Sequence, residues 1–220
     1  MSAPVAIDGG FAEVGAGSWL MGRGQPAAFF GKAVRRPRRG WRVPDRPRLE
    51  LVETSGAARC ADATRPFLTH IPCAAPVAAV SGKVLVAPAA ARTGARLVKV
   101  VPMSAKGALC VTEFGGAGNG EQESGSWVVM ATASRTVRVP LEDGQTVSVR
   151  PDAVVAWTGR APTGFCPKLS VWDVILPRGP RDLLLTFYGP GVVWVEGTGG
   201  TRPLAGGARP SPFERRGHGV

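Results

Sequence analysis

The chain has 220 residues, a formal net charge of +11 and 44% hydrophobic residues, which suits one domain with a buried core and charged extensions. Thirty glycines and twenty prolines, with no collagen-like period, exclude a helical bundle and favour short strands joined by turns. No apolar run approaches the roughly 18 residues of a membrane-spanning helix, and MSAPVAIDGGFAEVG lacks the basic and apolar regions of a secretory signal.

The charge is unevenly spread. Residues 1–48 hold nine Lys/Arg against three acids, 201–220 hold four against one, and 49–200 are close to neutral with fourteen against twelve. The expected organisation is a basic, Gly/Pro-rich irregular arm over 1–60, a β-sandwich domain over 61–200 and a flexible basic tail over 201–220. An intracellular setting is expected, mitochondrial or otherwise cytoplasmic. Seven basic residues and no acid over 14–44 keep a targeting segment open, although that stretch is poor in Ser. Cys60, Cys73, Cys110 and Cys166 show no two-residue zinc spacing, and four reduced structural thiols are expected.

From the N-terminus, the first 48 residues show no sustained periodicity. GKAVRRPRRGWRVPDRPR (31–48) carries eight cations and one acid. Pro37, Pro44 and Pro47 forbid a continuous helix there, so an extended arm is expected. Strand signals follow at LELVE (49–53), FLTHI (67–71), KVLVA (83–87), RLVKVV (96–101) and ALCVTEF (108–114). WVVMAT (127–132), RTVRVP (135–140), QTVSVR (145–150), AVVAWT (153–158), KLSVW (168–172), LLLTFY (183–188) and VVWVE (192–196) complete the series. Val137 and Val139 are expected to face one way against Thr136 and Arg138, and Val147 and Val149 against Thr146, Ser148 and Arg150. Glu142-Asp143-Gly144 and Gly189-Pro190-Gly191 read as hairpin turns, the latter with a glycine at positive φ. The class is all-β and antiparallel.

Taken together, TEFGGAGNG, SWVVMAT, RTVRVPLEDGQTVSVRPDAVVAWTG and LLLTFYGPGVVWVEGTGG resemble the altered-inheritance-of-mitochondria (mitochondrial biogenesis) family, whose bacterial relatives are a domain of unknown function. The resemblance covers residues 107–200 and, faintly, 67–106. It implies a β-sandwich of two similar sheet halves, like the trp RNA-binding attenuation protein fold, and a role in inner-membrane organisation for mitochondrial members. It offers no catalytic residue, and the structural glycines and proline it carries over are Gly116, Gly118, Gly144, Gly189, Pro190 and Gly191.

No catalytic constellation is legible. GGAGNG (115–120) runs into EQESGSWVVM, an acidic stretch and a strand, where a phosphate-binding glycine loop needs a helix N-terminus. His70 and Cys73 make at most two metal ligands, and His70 is expected to be a structural core residue. No G-x-S-x-G occurs, and Glu142 and Asp143 sit on a turn. Trp127, Trp157, Trp172 and Trp194 lie in apolar strands and are expected to pack inside, the alternative being a stacking platform for single-stranded nucleic acid. Trp41 sits within the arginine run.

The strongest functional signal is the basic run itself. Lys32, Arg35, Arg36, Arg38, Arg39, Arg42, Arg46 and Arg48 can engage the phosphates of RNA, DNA or acidic lipids, or an acidic protein surface. The reading is a non-enzymatic scaffold or assembly subunit that docks on a larger anionic partner, in mitochondrial organisation by the resemblance. The alternative is a nucleic-acid-associated protein such as a peripheral subunit of an organellar ribosome. No cofactor and no small-molecule substrate are expected.

Overall fold

The structure, a computed structural model, describes residues 6–8, 10–22, 27–36, 49–99, 108–115, 126–165 and 184–197. Strand β1 (Ala6–Asp8) precedes a first run of six: β2 (Phe11–Val14), β3 (Gly17–Gly22), β4 (Ala27–Phe30), β5 (Ala33–Arg36), β6 (Leu49–Thr54) and β7 (Ala58–Asp62). A second run holds β8 (Phe67–Pro72), β9 (Val77–Val80), β10 (Val84–Pro88), β11 (Arg92–Lys99), β12 (Ala108–Phe114) and β13 (Trp127–Thr132). The third holds β14 (Thr136–Leu141), β15 (Thr146–Val149), β16 (Val154–Thr158), β17 (Thr163–Phe165), β18 (Leu184–Tyr188) and β19 (Gly191–Glu196). Val is the commonest residue of the central members, four of which also carry a Trp, and both types pack well on a pleated surface.

These strands form four sheets, ordered β1-β2-β7-β4, β5-β6-β3-β10-β13-β8, β11-β12-β9-β16-β19-β14 and β15-β18-β17. Every pairing is antiparallel. The protein is therefore an antiparallel β-sandwich of several sheets, two of them six-stranded and alike in strand order. Adding six to each strand number of the first six-stranded sheet reproduces the second, and the outer sheets hold the remaining parts of the same order. Three tandem copies of one six-stranded unit follow from this, a threefold repeat that the sequence reading did not find. Each unit contributes half of one sheet and half of the next. Its second strand pairs across the boundary with the third strand of the following unit, as β3 does with β10 and β9 with β16.

A separate core fills each unit. Trp19, Val52, Cys60, Leu85, Val86, Trp127 and Val129 belong to the first, Ile71, Val84, Phe114, Met130, Val155 and Trp194 to the second, and Val111, Val154, Trp157, Leu185, Phe187 and Val193 to the third. The inner strands β10 and β13 are apolar on both faces because they lie between two cores. All five residues of β10 and all six of β13 are buried.

The expected irregular arm over 1–60 is corrected, since 6–62 contain seven strands and the whole first unit. These strands are three to six residues long, and the first four carry Gly or Ala, so no period-two pattern announces them. The two expected hairpins are corrected as well. β14 pairs with β19 and β15 with β18, so neither turn folds a strand back onto its neighbour. Instead β14–β15 and β18–β19 form one long two-stranded ribbon that bends from one sheet into the next, with the turns as its corner.

Candidate functional site

The basic run begins on the first unit. Gly31 crosses from β4 to β5, and Lys32 follows it, exposed. Arg35 and Arg36 fall on β5, the edge strand of the first six-stranded sheet, held only by β6 among the described residues. Arg38, Arg39, Arg42, Arg46 and Arg48, with Trp41, lie outside the described residues. Two large apolar side chains flank Lys32: Phe30 is 60% exposed and Val34 61%. The start of the run is thus a basic and apolar edge in place of a free arm.

Among the expected structural turns, Gly116 and Gly118 lie outside the described residues. Gly144 holds φ +77°, which favours glycine, with nothing near its missing Cβ. Gly189 and Gly191 do not have positive φ, contrary to expectation. Glycine is required there by close approach. A Cβ on Gly189 would run into the Glu142 carbonyl across the ribbon corner, and one on Gly191 would lie 2.8 Å from the Thr158 carbonyl oxygen. The Gly189 N–H donates to the Gln145 carbonyl at 2.9 Å, which fixes the corner.

A buried ion pair was not legible in advance. Lys83 closes a short 3-10 turn (Ser81–Lys83) before the wholly apolar β10, and only 11% of its side chain is exposed. Its Nζ donates to the Glu196 Oε2 at 2.7 Å and to the Asp152 carbonyl at 2.6 Å. The other oxygen of Glu196 accepts the backbone N–H groups of Ala133 (2.5 Å) and Ser134 (3.1 Å). Burial raises the Glu196 pKa, but the Lys83 hydrogen bond and charge and the two N–H groups outweigh it, so the carboxyl sits below its usual range. Glu196 ends β19, and the matching ends of the other units are also polar. Asp62 ends β7 and takes the Thr64 N–H at 2.9 Å, while Thr132 ends β13 and donates to the Ser134 carbonyl at 2.7 Å. Each unit therefore finishes on a side chain that ties down a unit-joining turn.

His70 is not a core residue. It stands exposed on β8, the far edge of its sheet, with its ring centroid 5.8 Å from that of Trp127, and partial burial lowers its pKa. Trp127, Trp157 and Trp194 are buried, as is Trp19, while Trp172 lies outside the described residues. No group of three or more His, Cys, Asp or Glu is placed to hold a metal among the described residues. Burial pushes the thiols of Cys60 and Cys73 up to about 12, so both stay protonated near neutrality. No described helix is long and apolar enough to cross a membrane.

Comparison with known proteins gives a fold and no family. No protein-family model and no curated protein matches the chain. Among solved structures, protein SPYM3_0169 from Streptococcus pyogenes is similar, with a TM-score of 0.60 and 12% identity over 89% of this chain and 92% of its own. At that identity the likeness shows a shared sandwich-like fold alone.

Proposed function

We propose that the protein is a non-enzymatic scaffold or assembly subunit that docks on a larger anionic partner through residues 32–48. The observation that carries this reading is the charge distribution: eight cations and one acid in that run, against a near-neutral 49–200. The placement of its start adds support, because exposed Val34 on β5, beside Lys32, gives the docking edge apolar area as well as charge. The buried charges of the domain are engaged in holding it together, as Lys83 and Glu196 are. A mitochondrial setting rests on the family resemblance of the second half of the chain.

The test is binding to anionic vesicles and to RNA across a salt series. Five arginines beyond β5 (Arg38, Arg39, Arg42, Arg46 and Arg48) are replaced by Gln in the full chain, which leaves every described strand intact. If about five cations meet phosphates, log affinity for duplex nucleic acid falls with log salt at a slope of about −4 to −5. A fourfold rise in salt then weakens binding by roughly several hundredfold, and the variant loses most of that slope. Equal slopes for both proteins would move the affinity off the run and end the proposal. Loss of captured partners on nuclease treatment would favour the nucleic-acid reading over a protein or lipid surface.

A further inference from the structure

We infer that copies of this chain join head to tail, the open edge of β15 in one copy pairing antiparallel with the open edge of β4 in the next. The joint already exists twice inside the chain. At each internal boundary the second strand of one unit pairs with the third strand of the next: Met21 opposite Val86, Leu20 opposite Ala87 and Trp19 opposite Pro88 at the first. At the second, Ala79 lies opposite Ala156, Ala78 opposite Trp157 and Val77 opposite Thr158. β4 is the third strand of the first unit and β15 the second strand of the last. Among the described residues β4 pairs only with β7 and β15 only with β18, and the two do not pair with each other. Among the described residues, the first and last units thus leave two unfilled halves of the joint used internally.

The side chains favour the same partner. In both internal joints the third strand turns apolar residues into the core of the preceding unit. Leu85 and Val86 of β10 enter the first core, and Val155 and Ala156 of β16 enter the second. β4 is likewise apolar, Ala-Ala-Phe-Phe, but no described unit precedes it. Phe29 packs into its own core while Phe30 is left 60% exposed, although β10 is buried throughout. The last core of another copy offers the matching place, where Val147 of β15 and Val139 are only partly buried. Ser148 stands on the other face of β15, bonded to Thr186 at 3.0 Å, where β9 has Ala78. That hydroxyl face and the three paired rows of the internal joints point to an association that depends on concentration. A joint made of two different edges is heterologous, so it propagates to a ring or a filament and does not stop at a symmetric dimer.

The test uses two single-edge variants of the full chain in light scattering and sedimentation over a concentration series. Phe30→Lys puts a charge on the β4 edge at an already exposed position. Ser148→Pro removes a backbone N–H from the β15 edge. The bond from the Gly189 N–H to the Gln145 carbonyl fixes the alternation, so the Ser148 N–H points away from β18. Ser148→Lys is the second variant should the proline disturb folding, and circular dichroism checks each protein. The wild type is expected to rise above the 22.9 kDa monomer with concentration, while each variant alone stays at that mass. An equal mixture of the two variants is expected to recover one joint and stop at twice the monomer mass, because each supplies the edge the other lacks. Val137→Lys, also at an exposed apolar site but off the joint, is expected to assemble like the wild type. A wild type that remains monomeric throughout overturns the inference. So does a Ser148 variant that still self-associates, which would indicate a symmetric β4–β4 pairing, or a mixture that fails to pair.

Discussion

The six-stranded sheets and the outer β15-β18-β17 sheet are built from corresponding strands yet carry different residues. β9, the second strand of the middle unit, reads Val-Ala-Ala-Val with its first three residues buried, whereas β15 reads Thr-Val-Ser-Val with Thr146 and Ser148 exposed. The difference follows from how many faces are covered. A sheet between two cores needs apolar residues at every position, while a sheet with one core needs them at every second position. Strand role in this protein is set by hydrogen-bond order, and strand composition by the number of neighbouring layers.

The sharpest test of that contrast is to truncate one aromatic in each setting. Trp157, fully buried in β16 and edge-on to Phe187 at 5.5 Å, is expected to cost about 4 to 5 kcal/mol when changed to Ala. Tyr188 on the outer sheet, 38% exposed, is expected to cost about 1 kcal/mol or less. Urea unfolding of both variants gives the comparison, and similar losses would mean that the outer sheet is covered after all.

A smaller effect is expected at the ion pair, where the inner layer departs from its apolar rule. Lys83→Met leaves the partly buried Glu196 carboxylate on two N–H groups without its cation, a loss of about 2 kcal/mol at neutral pH. The pH dependence has a definite sign. The folded pKa of Glu196 is depressed, so its contribution is complete above the unfolded pKa and is lost as pH falls through the folded one. Stability of the wild type should therefore drop on acidification through and below the usual carboxylate range. Glu196→Gln should flatten that part of the profile, and an unchanged profile would assign the acid sensitivity to other groups.

The smallest effect is expected at Val137. It is apolar in sequence but 56% exposed on β14, the edge strand of its sheet, and Val137→Lys should shift the unfolding midpoint by under about 0.5 kcal/mol equivalent. A larger loss would show that this edge is covered.

The same rule of layers explains what the sequence could disclose. Thr146, Val147, Ser148 and Val149 alternate cleanly because one face of β15 meets solvent, so that strand was readable along its length. Val84 to Pro88 and Val154 to Trp157 were visible as apolar runs, but a run buried on both faces does not say which strands flank it. Of the first unit LELVE was read as a strand, but the rest was missed because Gly17–Gly22 and Ala27–Phe30 are short and contain Gly or Ala, with their partners 27 to 37 residues away. Glu142-Asp143-Gly144 was correctly placed as a turn and wrongly as a hairpin. A tight turn has the same local chemistry whether the chain re-pairs with its neighbour or crosses to another sheet. Of the basic run, only the charge was legible, and its beginning as the paired edge strand β5 was not. Lys83 gave no warning, since its partner Glu196 lies 113 residues further along the chain.

That separation bears on how the protein is made. While synthesis proceeds from the N-terminus, Lys83 emerges long before the carboxylate that neutralises it. The middle unit can gather its strands early, yet its ammonium group stays hydrated until β19 arrives and brings Glu196 into place. Desolvating that cation alone is unfavourable, so the final packing around Lys83 depends on a residue of the third unit. A chain that ends before residue 196 lacks the closing charge altogether and leaves a lysine where the finished molecule has an ion pair. The charge that closes the interior of the middle unit is thus supplied from the end of the third, so the two units share one element of their packing.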